Sequence, residues 1–370
     1  MSLVMLTRAD IDREKWDGLV SGSPDGWVFS LYGWQELILA VADWCLEDFS
    51  FGVVESGRLV AVVPLQFDPR SGRMASSGWG GSGPVIATGV RLQDHARIVR
   101  VALDHCLHQA QVCQASVLEM SCSPVTGTAT ENRWGVNPFL FYGYEDISIL
   151  SQVVDLRRSE EELWNDLSGD ARRQIRKAEQ AGTTVDRVVW ADSLEDYYRL
   201  HQETYRRTHV TPHPFAYFQG IAHAMGAMGH SVLWRACAFD GTILAYHNSA
   251  WFNRGGYYHT GCSVEHVAEQ GAGYLLFWKA LLGAKEAGLW WYDCGAIFPN
   301  ATDAKQKGLT TFKTKFGGEA HRAFQAKRGL TPPANLVSAN TSLATVPAKM
   351  LAAEFVKRIS RGVLCFREKN

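Results

Sequence analysis

The sequence has no stretch of about 18 uncharged apolar residues, so a membrane-spanning helix is not expected. Its first residues, MSLVMLTRADIDREKW, meet charge at Arg8 and Asp10 before an apolar run of signal-peptide length can form. None of the eight cysteines, at 45, 106, 113, 122, 237, 262, 294 and 365, belongs to a C-x-x-C pair. That leaves zinc-ribbon and thioredoxin-like readings without support and predicts reduced, mostly buried thiols in a cytoplasmic protein. A strong excess of either charge is also missing. The formal net charge is −1, which removes the global electrostatic case for DNA binding. There is no G-x-S-x-G elbow and no Ser-His-Asp order that points to nucleophilic hydrolysis.

The composition that is present, 46% hydrophobic and 20% charged, fits a soluble globular protein. At 370 residues the chain exceeds the usual size of one hydrophobic core, so two domains are expected. Most of the 13 tryptophans and 17 phenylalanines belong in those cores.

The first 150 residues read as β-β-loop-α-β. Trp27–Ala40 leads into a helix with Trp34, Leu37 and Ile38 on one face. Phe51–Val54 and Leu59–Leu65 are short strands joined by Glu55-Ser56-Gly57-Arg58, a hairpin signal. Ser76–Pro84, SSGWGGSGP, is too rich in glycine for a regular element; it is a surface loop or a place of close ligand approach. Arg91–Val112 is a helix and Ala115–Met120 a strand.

A second domain, 151–320, opens with a strand at Val153–Leu156. Ser159 with Glu162 forms a capping box for a helix carrying Leu163, Trp164 and Leu167. The next helix, Asp170–Ala181, spreads Arg172, Arg173, Arg176 and Lys177 around its surface, as a solvated face does. Strand Thr184–Val189, a helix from Leu194 to Arg207, and a helix from Phe215 to Met225 follow. Three strands come next, Ser231–Phe239, Ile243–Phe252 and Gly256–Cys262, the first two joined by the tight turn Asp240-Gly241. A helix from Gly271 to Ala287 precedes the strand Leu289–Cys294. This order does not alternate as a Rossmann domain would; it predicts an α+β fold with mostly antiparallel sheets flanked by helices. Residues 321–370 read as a return strand, a linker and an amphipathic helix, MLAAEFVKRISRGVLCF, with Lys357, Arg358 and Arg361 on its polar side. Such a helix either covers its own protein or rests on the inner face of an anionic membrane.

Gly271–Glu319 concentrates the chemistry. A glycine-opened helix start can offer backbone amides to a phosphate, which makes Gly271 and Gly273 candidates for a nucleotide-bearing co-substrate. Asp293 is read at the C-terminal end of its strand, either orienting an amine or as an exposed acid capping backbone. If Leu309–Phe316 is helical, Leu309, Phe312, Lys313 and Phe316 share one face; if extended, Lys313 and Lys315 share one. His247 and His259 lie on adjacent predicted strands without a third ligand at metal spacing, so they read as core or cleft histidines and no metal is expected.

The chain resembles the Fem-type aminoacyl transferases and their relatives in the GNAT acyltransferase superfamily, over roughly residues 25 to 320. The resemblance is carried by Asp155–Gly182, DLRRSEEELWNDLSGDARRQIRKAEQAG, by Gly273–Gly295, and by Gly308–Glu319, GLTTFKTKFGGE. Trp34, the Gly57 hairpin and Gly83-Pro84 echo the N-terminal half of that family. It implies two GNAT-like domains, within 1–150 and 151–320, with substrates in the cleft between them and along the second domain. The best-known members append amino acids from aminoacyl-tRNA to a peptidoglycan precursor; many relatives are taken to be N-acyltransferases using acyl-CoA. This chain lacks the long charged coiled-coil insertion of some tRNA-dependent members. It also lacks a Q/R-x-x-G-x-G/A loop, because Ala268 stands three residues before Gly271.

By this resemblance Asp293 and Lys313 are the catalytic candidates, and Arg173, Arg176 and Lys177 are candidate phosphate contacts for a nucleotide-linked precursor or a tRNA. His259 and Lys315 join the substrate-binding candidates. Acyl-CoA or aminoacyl-tRNA is expected as a co-substrate rather than a tightly bound cofactor.

Overall fold

A computed structural model describes residues 3–76, 82–132, 135–267 and 271–330. Most of the glycine-rich stretch 76–84, position 268, and the linker and basic amphipathic segment after 330 lie outside the described residues. The chain divides into two compact units. Of the described residues, one comprises those within 3–123, 135–148 and 324–330; the other comprises those within 124–132 and 149–323.

The first unit contains strands β1 (Leu3–Thr7), β2 (Glu47–Asp48), β3 (Phe51–Glu55), β4 (Arg58–Val63) and β5 (Gln66–Asp68). It continues with β6 (Arg73–Ala75), β7 (Val85–Ile86), β8 (Val117–Ser121) and β9 (Glu145–Asp146). Its helices are α1 (Arg13–Gly22), α2 (Tyr32–Leu39) and α3 (Leu92–Val112). The β3–β4 hairpin turns through Ser56 and Gly57, both at positive φ, as the Ser-Gly pair predicts. Trp34, Leu37 and Ile38 are buried together on α2. One sheet has the order β1-β3-β4-β7.

The second unit runs α4 (Gly127–Glu131), β10 (Ile149–Asp155), α5 (Glu160–Asp166), α6 (Gly169–Gln180), β11 (Thr184–Val188) and α7 (Trp190–Arg207). It continues with α8 (Phe215–Gly220), β12 (Ser231–Cys237), β13 (Ile243–Phe252), β14 (Gly255–Ser263), α9 (Ala272–Glu286) and β15 (Trp291–Ile297). It ends with α10 (Ala304–Thr314) and β16 (Glu319–Ala323). The next strand, β17 (Gln325–Gly329), returns to the first unit and pairs with both β8 and β9. The first unit's second sheet is therefore β2-β5-β6-β8-β17-β9.

Local signals explain much of the second unit. Ser159 and Glu162 form the expected reciprocal cap on α5. Asp240 accepts from the Thr242 amide at 2.9 Å and Gly241 takes φ 86°, closing the β12–β13 turn. The α9 helix is apolar nearly all round because it is enclosed: Phe277 stacks on Phe316 at 4.3 Å and Trp278 lies 5.5 Å from Trp164. Burial of a side chain such as Phe277 contributes about 2–3 kcal/mol.

Several elements start away from their predicted ends, β8 at Val117 rather than Ala115 and β10 at Ile149 rather than Val153 among them. The α7 helix begins at Trp190 rather than Leu194, because the buried indole is anchored by a 2.9 Å hydrogen bond to Ser231 Oγ. The strand expected at Leu289–Cys294 is β15, Trp291–Ile297. Gly295, at φ 94°, does not end it, since β10 keeps pairing across the irregularity from Val153↔Asp293 to Ser151↔Ala296.

The Phe316-Gly317-Gly318-Glu319 run also has a geometric cause. Both glycines sit at φ 76°, and a Cβ on Gly318 would lie 2.2 Å from the Val153 carbonyl oxygen. Gly288 has a similar φ, 82°, but open space around it. Gly318→Ala is therefore expected to lower stability by at least about 2 kcal/mol more than Gly288→Ala. Urea midpoints of the two variants measure this, and equal midpoints would contradict the packing argument.

Candidate functional site

The second unit's sheet has the order β11-β12-β13-β14-β15-β10-β16, antiparallel throughout except between β14 and β15. That parallel pair is in register only at Gly255↔Trp291, Gly256↔Tyr292 and Tyr257↔Asp293. Among the described residues the pairing stops there, although β14 runs on to Ser263 and β15 to Ile297. Beyond Tyr257 and Asp293 the two strands are no longer paired with each other.

Asp293 stands at this fork. It lies within β15 rather than at the strand's end, and it is 4% exposed, which corrects the reading of an exposed terminal acid. Its Oδ1 accepts from Ser151 Oγ and, at 2.7 Å, from the Gly295 amide. Lys313 is 1% exposed on α10 and donates to the Ala296 carbonyl at 2.7 Å. The helical alternative for Leu309–Phe316 holds: Leu309, Phe312, Lys313 and Phe316 are all buried. Gly295 makes room for the ammonium, since a Cβ there would meet Lys313 Nζ at 2.9 Å.

Burial dominates both charges. Desolvation pushes the Asp293 carboxyl up to about 6, against the opposing hydrogen bonds from Ser151 and Gly295 and the attraction of Lys313. Desolvation brings the Lys313 ammonium down to about 8, with the Asp293 charge holding it up. Both groups change protonation close to neutrality, which suits proton transfer.

The other candidates divide. Lys315 Nζ bonds Asp170 Oδ2 at 2.8 Å and Tyr274 OH at 3.0 Å, tying α10 to α6 and α9. Arg173 also pairs with Asp170 and is largely exposed. Arg176 lies over the Trp164 ring at 5.5 Å, and Lys177 is exposed on the same helix. Gly271 takes φ 71° at the start of α9, where a Cβ would lie 2.2 Å from the Gln174 carbonyl oxygen of α6. Close helix packing thus accounts for this glycine without a ligand. Gly273 is buried in the first turn of α9. His259 sits on β14, two residues past Tyr257, with Nε2 3.0 Å from Tyr217 OH. His247 is buried with its Nε2 2.6 Å from Tyr292 OH, as expected of a core histidine.

Sequence reasoning missed Ser151, Tyr217 and Tyr257. Ser151 meets Asp293 across 142 residues of sequence, and no local pattern announces such a pair. The aromatic, Tyr-rich composition of the segment around Tyr217 and Tyr257 was its only signal.

Residues 166–313 match the family model described as an acetyltransferase (GNAT) domain. No curated protein sequence matches the chain. Among solved structures, FemX is 16% identical with a TM-score of 0.67, covering 89% of this chain and 98% of that one. L-PGS from Bacillus licheniformis is 14% identical with a TM-score of 0.56, covering 96% and 98%. A tandem GNAT protein from the clavulanic acid biosynthesis pathway is 13% identical with a TM-score of 0.51, covering 90% and 99%. The chain is a transferase carrying a GNAT domain in its second unit. Its fold is like that of FemX, as the sequence resemblance to the Fem-type proteins implies.

The buried pair sets a pH dependence of stability. Between about pH 3.8 and 6 folded Asp293 keeps a proton that the unfolded chain releases, so stability falls as pH rises. Between about pH 8 and 10.5 folded Lys313 has lost a proton that the unfolded chain keeps, so stability rises with pH. Asp293→Asn should flatten the first slope and start the second at lower pH, because the carboxylate no longer supports the ammonium. Urea midpoints across this range test it; an unchanged acid slope would contradict a buried, titrating Asp293.

Proposed function

We propose that the chain is an N-acyltransferase of Fem-like type, moving an acyl group, with acyl-CoA as the leading donor, to an amine of a cell-envelope sugar or peptide precursor. The observation that carries this reading is the parting of β14 and β15 beside a buried carboxyl and ammonium. A thioester carbonyl bound where the two strands part would lie near both groups. The amine nitrogen attacks the carbonyl carbon, the C–N bond forms, and the π electrons move to oxygen. The Lys313 ammonium stabilises that oxyanion, and the Asp293 carboxylate takes the proton released by the amine. Collapse of the tetrahedral species then breaks the bond to the thiolate, which leaves with a proton.

A second reading uses an aminoacyl ester of tRNA as donor. It is supported by exposed Arg176 and Lys177 on α6 and by the likeness to the C-terminal domain of a protein described as a lysylphosphatidylglycerol synthetase from Agrobacterium fabrum (13% identity, TM-score 0.54, covering 85% of this chain and 90% of that domain). Among the described residues no helix is long and apolar enough to cross a membrane. We place the protein in the cytoplasm, with peripheral contact at the inner membrane face through the basic segment after residue 350.

The test offers acyl-CoA and aminoacyl-tRNA separately, each with a UDP-linked muropeptide precursor, and reads the product by mass. Transfer from one donor is expected, with Lys313→Ala and Asp293→Asn each lowering kcat/KM about a hundredfold or more. If both variants keep full activity, these residues do not carry the reaction. Thermal stabilisation by the precursor without transfer from any donor would instead indicate a binding protein.

A further inference from the structure

Both hydrogen bonds to the Asp293 carboxyl fall on the same oxygen. Oδ1 accepts from Ser151 Oγ and from the Gly295 amide; among the described residues Oδ2 accepts from none. The two donors arrive by different routes. Gly295 lies two residues further along β15, and its φ of 94° turns the amide back onto the side chain in an Asx-type turn. Ser151 comes from β10. Val153 of that strand pairs with Asp293, which makes Ser151 its diagonal cross-strand neighbour. Between Ser151↔Ala296 and Val153↔Asp293 the ladder sets Cys294 and Gly295 against Gln152 alone. The bulge that bends Gly295 onto the carboxyl is therefore held between Ser151 and Val153. Ser151 is buried, and a carboxylate can only accept, so the serine hydroxyl is the donor.

This one-sided arrangement decides where a proton goes. An oxygen that already accepts two hydrogen bonds is the poorer base, so a proton reaching the carboxyl settles on Oδ2. Oδ1 is then the carbonyl oxygen of the acid and still accepts both bonds. Neither donor has to turn as the group gains or loses its proton. Both bonds are stronger to the carboxylate than to the acid, which opposes the desolvation that favours the acid.

We infer that Ser151 is a positioning residue for the proposed acyl transfer, its hydroxyl fixing Oδ2 as the oxygen at which Asp293 takes up the amine's proton. The inference rests on that reading and deepens it, from a residue that accepts the proton to one atom of it. The same hydroxyl favours the ionised, proton-accepting form. The other titratable groups that feel this carboxyl are Lys313 of α10, Tyr257 of β14, and Tyr292 and Cys294 of β15. Burial raises both tyrosines and the thiol, so they stay neutral while Asp293 titrates.

Three measurements on the full chain test it. In a neutron structure of the wild type at pH 5 the acid's deuteron is expected on Oδ2, and a deuteron on Oδ1 would overturn the assignment. The second is titration with 13C-carboxyl-labelled aspartate, the Asp293 signal being the one lost in Asp293→Asn. The wild-type midpoint is expected at about 6. Ser151→Ala should raise it by about one pH unit, and an unchanged or lowered midpoint would overturn the role of the hydroxyl. The third is the pH profile of kcat/KM. Its acid limb should move with the midpoint, so that Ser151→Ala loses about fivefold more at pH 6 than at pH 8. An equal loss at both would mark a merely structural serine. If the midpoint moves while no donor supports transfer, the carboxyl assignment stands and the acyl-transfer reading falls. If transfer runs and the midpoint stays, Ser151 loses its role and the acyl-transfer reading stands.

Discussion

Keeping Asp293 of β15 and Lys313 of α10 together and away from water is the constraint on which the second unit is built. A carboxylate and an ammonium removed from water are costly unless each finds hydrogen bonds and the other's field. The fold meets that demand with groups drawn from separate parts of the chain: Ser151 from β10, the Gly295 amide from β15 itself, and the Ala296 carbonyl. The break at Gly295 serves both partners. It turns an amide onto the carboxylate and leaves space for the ammonium. The parallel ladder ends at Asp293, two residues before that break, so the place where the strands part coincides with the place where the buried carboxyl sits.

The first unit makes a useful contrast. It too has one parallel pair, β6 with β8, in register from Arg73↔Val117 to Ala75↔Glu119. There the chain supplies its own partners beyond the ladder: the Ser76 amide donates to the Glu119 carbonyl at 3.0 Å and the Gly83 amide to the Ser121 carbonyl at 3.3 Å. Ser82 Oγ accepts from the Ser123 amide at 3.1 Å. The corresponding edge is thus satisfied internally, while the carboxyl beside it, Glu119, is paired with Arg73. Beyond its ladder the first unit bonds backbone back to β8, whereas in the second unit the ladder ends beside Asp293 and the side chains of Asp293 and Lys313 take the nearby backbone groups.

What could be read from the sequence was whatever depends on near neighbours. The Ser159–Glu162 box, the Asp240-Gly241 turn and the apolar run of α9 each declare themselves within a few residues. The Leu309–Phe316 face was legible only as two alternatives, because a short segment with two lysines fits either period. Asp293 was found, but its burial was not, since Gly295 reads as a strand stop until β10 is seen to pair across it. Lys315 and Gly271 looked like ligand contacts for want of their true neighbours, Asp170 and Gln174, which lie 145 residues away in the first case. The contact between Tyr217 of α8 and His259 of β14 was illegible for the same reason.

The return of β17 has a consequence for how the molecule comes into being. It pairs with β8 on one side and β9 on the other, filling a slot in the middle of the first unit's six-stranded sheet. During synthesis β8 emerges some two hundred residues before β17 does, and the entire second unit is made in between. For that interval the nascent chain carries two unpaired strand edges, the kind of surface that recruits wrong partners. Order of synthesis and order of completion are therefore inverted: the unit begun first is finished last.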